Sequence, residues 1–201
     1  MLFTDEKLIL ASSNQGKLKE FKQLFQAHGV NVLPQSQFAV DDAEETGLSF
    51  VENAIIKARH AAKISGLPAL ADDSGLEVDA LRGQPGIYSA RYSGPEASDA
   101  SNNAKLLRAL AQVPNEQRTA RYRCVLVLMR HAADPTPAIF QGSWEGRILT
   151  SAAGDQGFGY DPLFWALEQQ AAVATMPAAL KNQVSHRAKA VAQLMAAISK
   201  R

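Results

Sequence analysis

Four groups of side chains in this chain have the types and spacing to handle a charged ligand. The first is Ser12-Ser13-Asn14-Gln15-Gly16-Lys17, set between an apolar run and a helical pattern. Free backbone N–H groups at a helix start attract anions, and hydroxyls, an amide and an ammonium accompany them here. The segment is a phosphate cradle in miniature. It is not a P-loop, because no Gly lies five residues before Gly16 and Leu18 replaces the Ser or Thr that follows the Lys. Its plain alternative is a polar turn from strand to helix. The second group is Glu44, Glu45, Asp72 and Asp73. Hard oxygen donors suit Mg²⁺, which takes one or two carboxylates plus substrate phosphates, although Asp-Asp-Ser-Gly also reads as a turn. The third is Lys181 with Ser185-His186-Arg187, just ahead of an amphipathic helix and able to hold a phosphate or a carbonyl-bearing base. The fourth is Gly157-Phe158-Gly159-Tyr160-Asp161-Pro162, where glycines let backbone approach a ligand and Phe158 offers a ring for stacking, or which forms a tight turn packed by its two aromatics. His28, His60 and His131 show no partner pattern, and no Cys/His spacing supports zinc.

The elements that must position these groups are written in the apolar pattern. Residues 7–11 predict a buried strand. Leu18, Phe21 and Phe25 then share a helix face, with Gly29 at the expected C-cap, and residues 30–33 predict a second strand. Ser49-x-x-Glu52 is a capping-box signature opening a helix with the stripe Val51, Ile55, Ala58 and Ala62, closed by Gly66. Residues 69–71 predict a strand stub that ends at Asp72, and residues 76–81 resume the apolar pattern. Residues 83–95 predict a structured loop. Ser98 caps a helix with Leu106, Leu107 and Leu110 on its apolar face. The clearest strand is 119–130. It places Tyr122, Cys124, Leu126 and Leu128 on one face and Val125, Val127 and Met129 on the other, so both faces of its second half are covered. Residues 139–148 predict a strand with a Gly-containing kink, 154–162 a Gly-rich loop, and 186–198 a closing helix. This alternation argues for an α/β class with a mixed sheet.

The 201 residues, 46% of them hydrophobic, suffice for one domain, or one domain and a smaller lobe, with a core that needs no disulfide. Lys plus Arg is 21 against 20 Asp plus Glu, a net charge of +1. No global field attracts nucleic acid or acidic lipid, so any basic site is local. Cys124 is the single cysteine, which excludes an internal disulfide. No apolar run approaches a membrane span. Asp5, Glu6 and Lys7 interrupt any signal-like stretch, so a cytoplasmic protein is expected.

Together the four groups compose a nucleotide site. The segments SSNQGKLKEF, EETGLSFVENAIIKA, LADDSGLEVDAL, PGIYSARYSG, GFGYDPLF and SHRAKA resemble the inosine triphosphate pyrophosphatase family, in that family's order and over nearly the whole chain. The resemblance implies an α/β fold with an elongated mixed sheet, flanking helices and two lobes around a central nucleotide-binding cleft. It also implies a homodimer that uses Mg²⁺ to hydrolyse ITP, dITP and XTP to the monophosphate and pyrophosphate, with no nucleic acid or membrane as partner. Ser12, Ser13, Asn14, Gln15, Gly16 and Lys17 match the family's triphosphate-binding motif. Glu45 and Asp73 match its metal-binding carboxylates, and Asp73 also its general base. Lys57 and Ser74 match substrate contacts. Phe158, Gly159, Tyr160, Asp161, Lys181, His186 and Arg187 match the residues around the base. Arg187 carries only donors, which suits a 6-keto purine and opposes the 6-amino group of adenine. The chain departs from the family pattern at Met176-Pro177-Ala178-Ala179-Leu180, where acidic residues are common, and at Trp165-Ala166-Leu167, where a second Pro is common. The rival readings are a general NTP phosphohydrolase releasing orthophosphate and a nucleotide-binding module without catalysis.

Overall fold

The computed structural model describes residues 7–199; Asp5 and Glu6, part of the argument against a leader, lie outside the described residues. The strands are β1 (Leu8–Ala11), β2 (Val32–Pro34), β3 (Ala69–Val78), β4 (Thr119–Met129), β5 (Ala138–Ile148), β6 (Phe164–Ala166) and β7 (Ala171–Ala172). The helices are α1 (Gln15–Gln26), α2 (Phe50–Ser65), α3 (Asp99–Ala109), α4 (Ala178–Val184) and α5 (His186–Ser199). Among the described residues the strands form one sheet in the order β2-β1-β3-β4-β5-β6-β7. β1 pairs parallel with β2 and β3, whereas β6 pairs antiparallel with β5 and β7, so the sheet is mixed. The chain divides into two compact units, and β3, β4 and β5 each contribute residues to both.

The first unit takes the chain up to Asp73, then residues 124–142 and the segment from Arg187 onward. Its sheet is covered on both faces. Leu8, Leu10, Leu70, Cys124, Leu126 and Leu128 pack against Phe21, Leu24 and Phe25 of α1 and Val191 and Leu194 of α5. Ile9, Ala11, Ala69, Ala71, Val125, Val127 and Met129 pack against Ala54, Ala58, Ala61 and Ala62 of α2. β4 therefore divides its apolar residues between two layers, as its continuous hydrophobic run predicts. The small residues on α2 and β3 let that helix lie close to the sheet.

The second unit comprises residues 74–123 and 143–186. Leu76 and Val78 of β3, Leu106 of α3, Tyr122, Trp144, Ile148, Leu163 and Phe164 form its core. The Phe164 ring lies 4.5 Å from Tyr122 and 5.9 Å from Trp144, centroid to centroid. Buried Arg118 donates to the Leu110 and Val113 carbonyls at 2.8 and 2.9 Å. A cation is thereby placed where the α3 dipole is negative.

Two expectations are corrected. α1 ends at Gln26 with Ala27 as its cap, and Gly29 (φ +70°) lies beyond it, turning the chain toward β2. β3 does not stop at Asp72: it runs unbroken through Asp72, Asp73, Ser74 and Gly75. Buried carboxylates are compatible with a strand here because each is paired, as described below. The short elements α4, β6 and β7 carry too few residues for a periodic signal.

Gly146 of β5 is closely packed in the second core. A Cβ there would lie 2.4 Å from Phe164 Cζ and 2.5 Å from the Trp165 carbonyl oxygen. Gly146→Ala should therefore lower stability by about 1–3 kcal/mol through overpacking, read as a drop in the urea midpoint.

Candidate active site

Successive side chains of a strand point to opposite faces, and this separates the two aspartates of β3. Asp72 shares a face with α1 and α5. Its side chain is 0% exposed, with Oδ2 2.8 Å from Lys17 Nζ and 4.0 Å from Arg187 Nε. The Cys124 thiol donates to Oδ1 at 3.1 Å. Arg187 Nη1 in turn donates to Glu20 Oε2 at 2.7 Å. Burial opposes ionisation of Asp72, but Lys17, Arg187 and Lys57 outweigh it and hold the carboxyl well below the usual carboxylate range. Burial and the neighbouring Asp72 push the Cys124 thiol well up, so it stays protonated and donates. Lys17 is delivered by the first turn of α1, where the Asn14 side chain caps the helix by accepting from Lys17 N–H at 3.0 Å. Glu20 follows three residues later on the same helix.

Asp73 faces α2. Its Oδ1 is 2.6 Å from Lys57 Nζ, and the same ammonium is 3.0 Å from Glu45 Oε1. Asp73 Oδ2 is buried and has no hydrogen-bond partner. Burial raises the Asp73 pKa, Lys57 and Lys17 oppose the rise, and Glu45 adds to it. Burial works against the charge on Lys57, yet Asp73, Glu45 and Asp72 raise its pKa overall. The turn that carries Glu45 is fixed by Asn53 of α2, whose Oδ1 accepts from Gly47 N–H at 2.8 Å. A Cβ on Gly47 would lie 2.7 Å from that oxygen, so the turn closes only with glycine. The predicted capping box is present in modified form: Ser49 accepts from Glu52 N–H, and Glu52 Oε2 accepts from Leu48 N–H and the Ser49 hydroxyl. Glu44 is exposed.

Glu45 and Asp73 thus converge on one cation position and leave one buried oxygen unpaired. The donors are hard carboxylate oxygens, and no group of three or more His, Cys, Asp and Glu side chains converges among the described residues. Such a pair fits an ion that completes its shell with water and substrate phosphates, as Mg²⁺ does.

At the start of α1 the expected cradle is largely exposed. The Ser13 hydroxyl donates to Asp42 at 2.5 Å, Asn14 N–H to Ser12 Oγ at 3.3 Å, and the Gln15 amide to the Ser13 carbonyl at 3.3 Å. Asp42 is also held by Gln35 at 2.6 Å.

In the second unit the Gly-rich loop is built around Asp161. Its Oδ2 accepts from Phe158 N–H at 3.0 Å and Lys181 Nζ at 2.6 Å, and Oδ1 accepts from the Tyr122 hydroxyl at 3.2 Å. Gly157 (φ +81°) passes so close that a Cβ would meet Asp161 Oδ2 at 2.0 Å. Lys181, on α4, also lies 5.0 Å from the centroid of the half-exposed Phe158 ring. Four residues expected around a base have other surroundings. Asp161 is buried beneath the loop and braces it. Tyr160 is 4% exposed, and its hydroxyl donates to the Ser89 carbonyl at 2.8 Å. His186 is 2% exposed and stacks on Tyr122 at 4.7 Å. Arg187 is taken up by Glu20 and Asp72 in the first unit, since consecutive residues at the start of α5 leave the helix in different directions. Ser74 is half-buried in β3. Glu20 is not among the sequence candidates, and Asp72 figures there only as one of four carboxylates suited to Mg²⁺; the three-residue spacing from Lys17 to Glu20 is the available signal.

These observations define the class. Residues 8–197 match the model of the Ham1 family, and the chain belongs to that family. It is 58% identical over 193 residues to the dITP/XTP pyrophosphatase of Vibrio cholerae serotype O1, covering 96% of both chains. It is 57% identical over 196 residues to that of Shewanella oneidensis, covering 98% of this chain and 95% of the relative. A HAM1 protein from Coxiella burnetii superposes with a TM-score of 0.90 at 46% identity, over 98% of this chain and 100% of the other. The nucleoside-triphosphatase / dITP/XTP pyrophosphatase from Mycobacterium abscessus gives 0.75 at 38%, over 94% and 97%.

Because the folded pKa of Asp72 lies below its unfolded value, the stability it supplies is complete above about pH 4 and is lost as pH falls through the folded pKa. Asp72→Asn should destabilise the protein by about 3 kcal/mol at pH 7. The gap between the two proteins should narrow below pH ~4, measured as denaturant midpoints from pH 7 to 3.

Proposed function

We propose that this chain hydrolyses the triphosphates of deaminated purines, dITP, ITP and XTP, to the monophosphate and pyrophosphate. The observation that carries this reading is the interleaving of Lys17 and Lys57 with Glu45 and the mid-strand aspartates of β3, Asp72 and Asp73. A phosphate-binding module without catalysis needs the ammoniums but not a buried carboxylate oxygen left without a partner. The activity of the relatives named above supports the same reading.

The chemistry follows from the residues. Water attacks the α-phosphorus, and the bond to the bridging oxygen breaks, so pyrophosphate leaves in one step. Asp73, with its pKa raised by burial, accepts the water's proton, a contribution of about 10²–10⁴-fold. Lys17, Lys57 and the N–H groups at the start of α1 stabilise the charge that moves to the leaving group. Glu45 and Asp73 would hold Mg²⁺, which when bound neutralises phosphate charge. Asp72 does not move protons; its charge keeps Lys17 in place. In the second unit Phe158 offers a ring to the base, and Lys181, a pure donor beside that ring, suits a 6-keto group and mismatches the 6-amino group of adenine. Arg187, sequestered by Glu20 and Asp72, keeps a supporting part in this reading. The protein is read as a cytoplasmic homodimer acting on free nucleotides, which rests on the family resemblance.

With ITP, the expected products are IMP and pyrophosphate; orthophosphate in place of pyrophosphate would favour cleavage at the γ-phosphorus. ATP should be a poor substrate, and EDTA should abolish turnover until Mg²⁺ is restored. Asp73→Asn should lower kcat by about 10²–10⁴-fold while KM stays within a few-fold, measured by pyrophosphate release.

A further inference from the structure

The loop that would carry the base is gripped from outside by a helix to which no ligand-binding role has been given. Gly159 N–H donates to Asp99 Oδ2 at 2.7 Å, and Gly159 C=O accepts from Asn103 Nδ2 at 2.9 Å. Asp99 and Asn103 stand four residues apart in the first turns of α3, on one helix face. Together they bind the donor and the acceptor of a single residue. Ser98 and Ser101 form a reciprocal capping box at the start of that helix, which holds the first turn in register. Asn102, between the two, is turned inward and accepts from Ser93 N–H at 2.7 Å while donating to the Ala90 carbonyl at 3.1 Å.

Gly159 is the point of the loop that most needs an external hold. It takes a left-handed φ of +63°, and a Cβ there would touch nothing within 4 Å, so packing does not fix it. Its neighbours are fixed by other means: Phe158 N–H by Asp161, and Tyr160 by its hydroxyl bond to Ser89 and its buried ring. Both polar groups of Gly159 are taken by α3, which holds the backbone on the C-terminal side of Phe158.

We propose that Asp99 and Asn103 are positioning residues for purine recognition, clamping Gly159 so that the Phe158 ring is preset to receive the base. This rests on the reading that the loop binds the purine. It assigns α3, which touches no reacting atom, a part in ground-state binding and none in the chemical step. A preset ring lowers the ordering cost of binding, so loss of the clamp should appear in KM and not in kcat.

The test uses near-isosteric substitutions on the full-length protein. Asn103→Asp keeps size but removes the donor to Gly159 C=O. Asp99→Asn keeps an acceptor for Gly159 N–H, and Asp99→Ala does not. Steady-state kinetics with ITP should show KM raised about three- to tenfold in Asn103→Asp and Asp99→Ala, with kcat within about twofold and KM close to wild type in Asp99→Asn. Thermal melting run alongside separates loosening of the whole domain from loss of the clamp. If Asn103→Asp fails to fold, the Asp99 pair decides alone, since it tests the same residue from the N–H side. Unmoved KM in Asp99→Ala, or a fall in kcat without a rise in KM, overturns the clamp while leaving the pyrophosphatase reading intact. Failure of the wild-type protein to turn over ITP sinks both.

Discussion

The buried charge of Asp72 is the constraint on which the first unit depends. A carboxylate without solvent exposure is tolerated only with partners that restore what water supplied. Here those partners come from α1, α5 and β4: Lys17, Arg187 and Cys124. To reach one carboxylate, both helices must lie on the same face of the sheet. The apolar layer on that face, Phe21, Leu24 and Phe25 of α1 with Val191 and Leu194 of α5, packs them in that position. Packing and charge therefore specify the same arrangement of helices. Lys17 is held at the mouth of α1 by Asp72, and Arg187 is kept from floating by Asp72 and Glu20 together.

One residue further along β3 the same backbone builds the opposite environment. Asp73 meets a single close cation, Lys57, which it shares with Glu45. Burial and the neighbouring carboxylate push its proton affinity up, whereas the cations around Asp72 push that one down. Adjacent carboxyl groups with pKa values driven apart mark distinct roles: one a permanent anion that organises lysine and arginine, the other a group able to accept a proton. The division is a consequence of strand geometry. In a turn, two consecutive aspartates would share solvent and behave alike.

That geometry explains what the sequence made legible and what it did not. β4 was readable because its apolar residues continue on both faces, and both faces are covered. The α2 boundaries were readable because Ser49, Glu52 and Gly66 act locally. The continuation of β3 through the aspartate pair is not legible because Asp-Asp-Ser-Gly has turn propensity by itself, and the cations that make it a strand lie distant in sequence, at Lys17, Lys57 and Arg187. Gly29 was misplaced by a few residues because Ala27 can cap α1 in an ordinary helical conformation. Of the residues grouped around the base by motif, Phe158 and Lys181 lie beside each other as expected. Asp161 and Tyr160 turn inward because a loop of positive-φ glycines has no internal packing and needs buried anchors. Nothing local in GFGYDPLF distinguishes a residue that faces a ligand from one that holds the loop beneath it.

On the proposed function, the charge balance of the first cluster bears on how a triphosphate would be received. Around the aspartates of β3 the carboxylates of Glu20, Glu45, Asp72 and Asp73 outnumber the cations of Lys17, Lys57 and Arg187. A strongly anionic ligand gains little from such a set alone, because each ammonium is already committed to a carboxylate. On the proposed reading, a divalent cation held by Glu45 and Asp73 would offset that excess and leave Lys57 available to the phosphates. On the proposed reading, net acidity at this site, which looks like a defect if the lysines are considered alone, is what ties substrate binding to the ion.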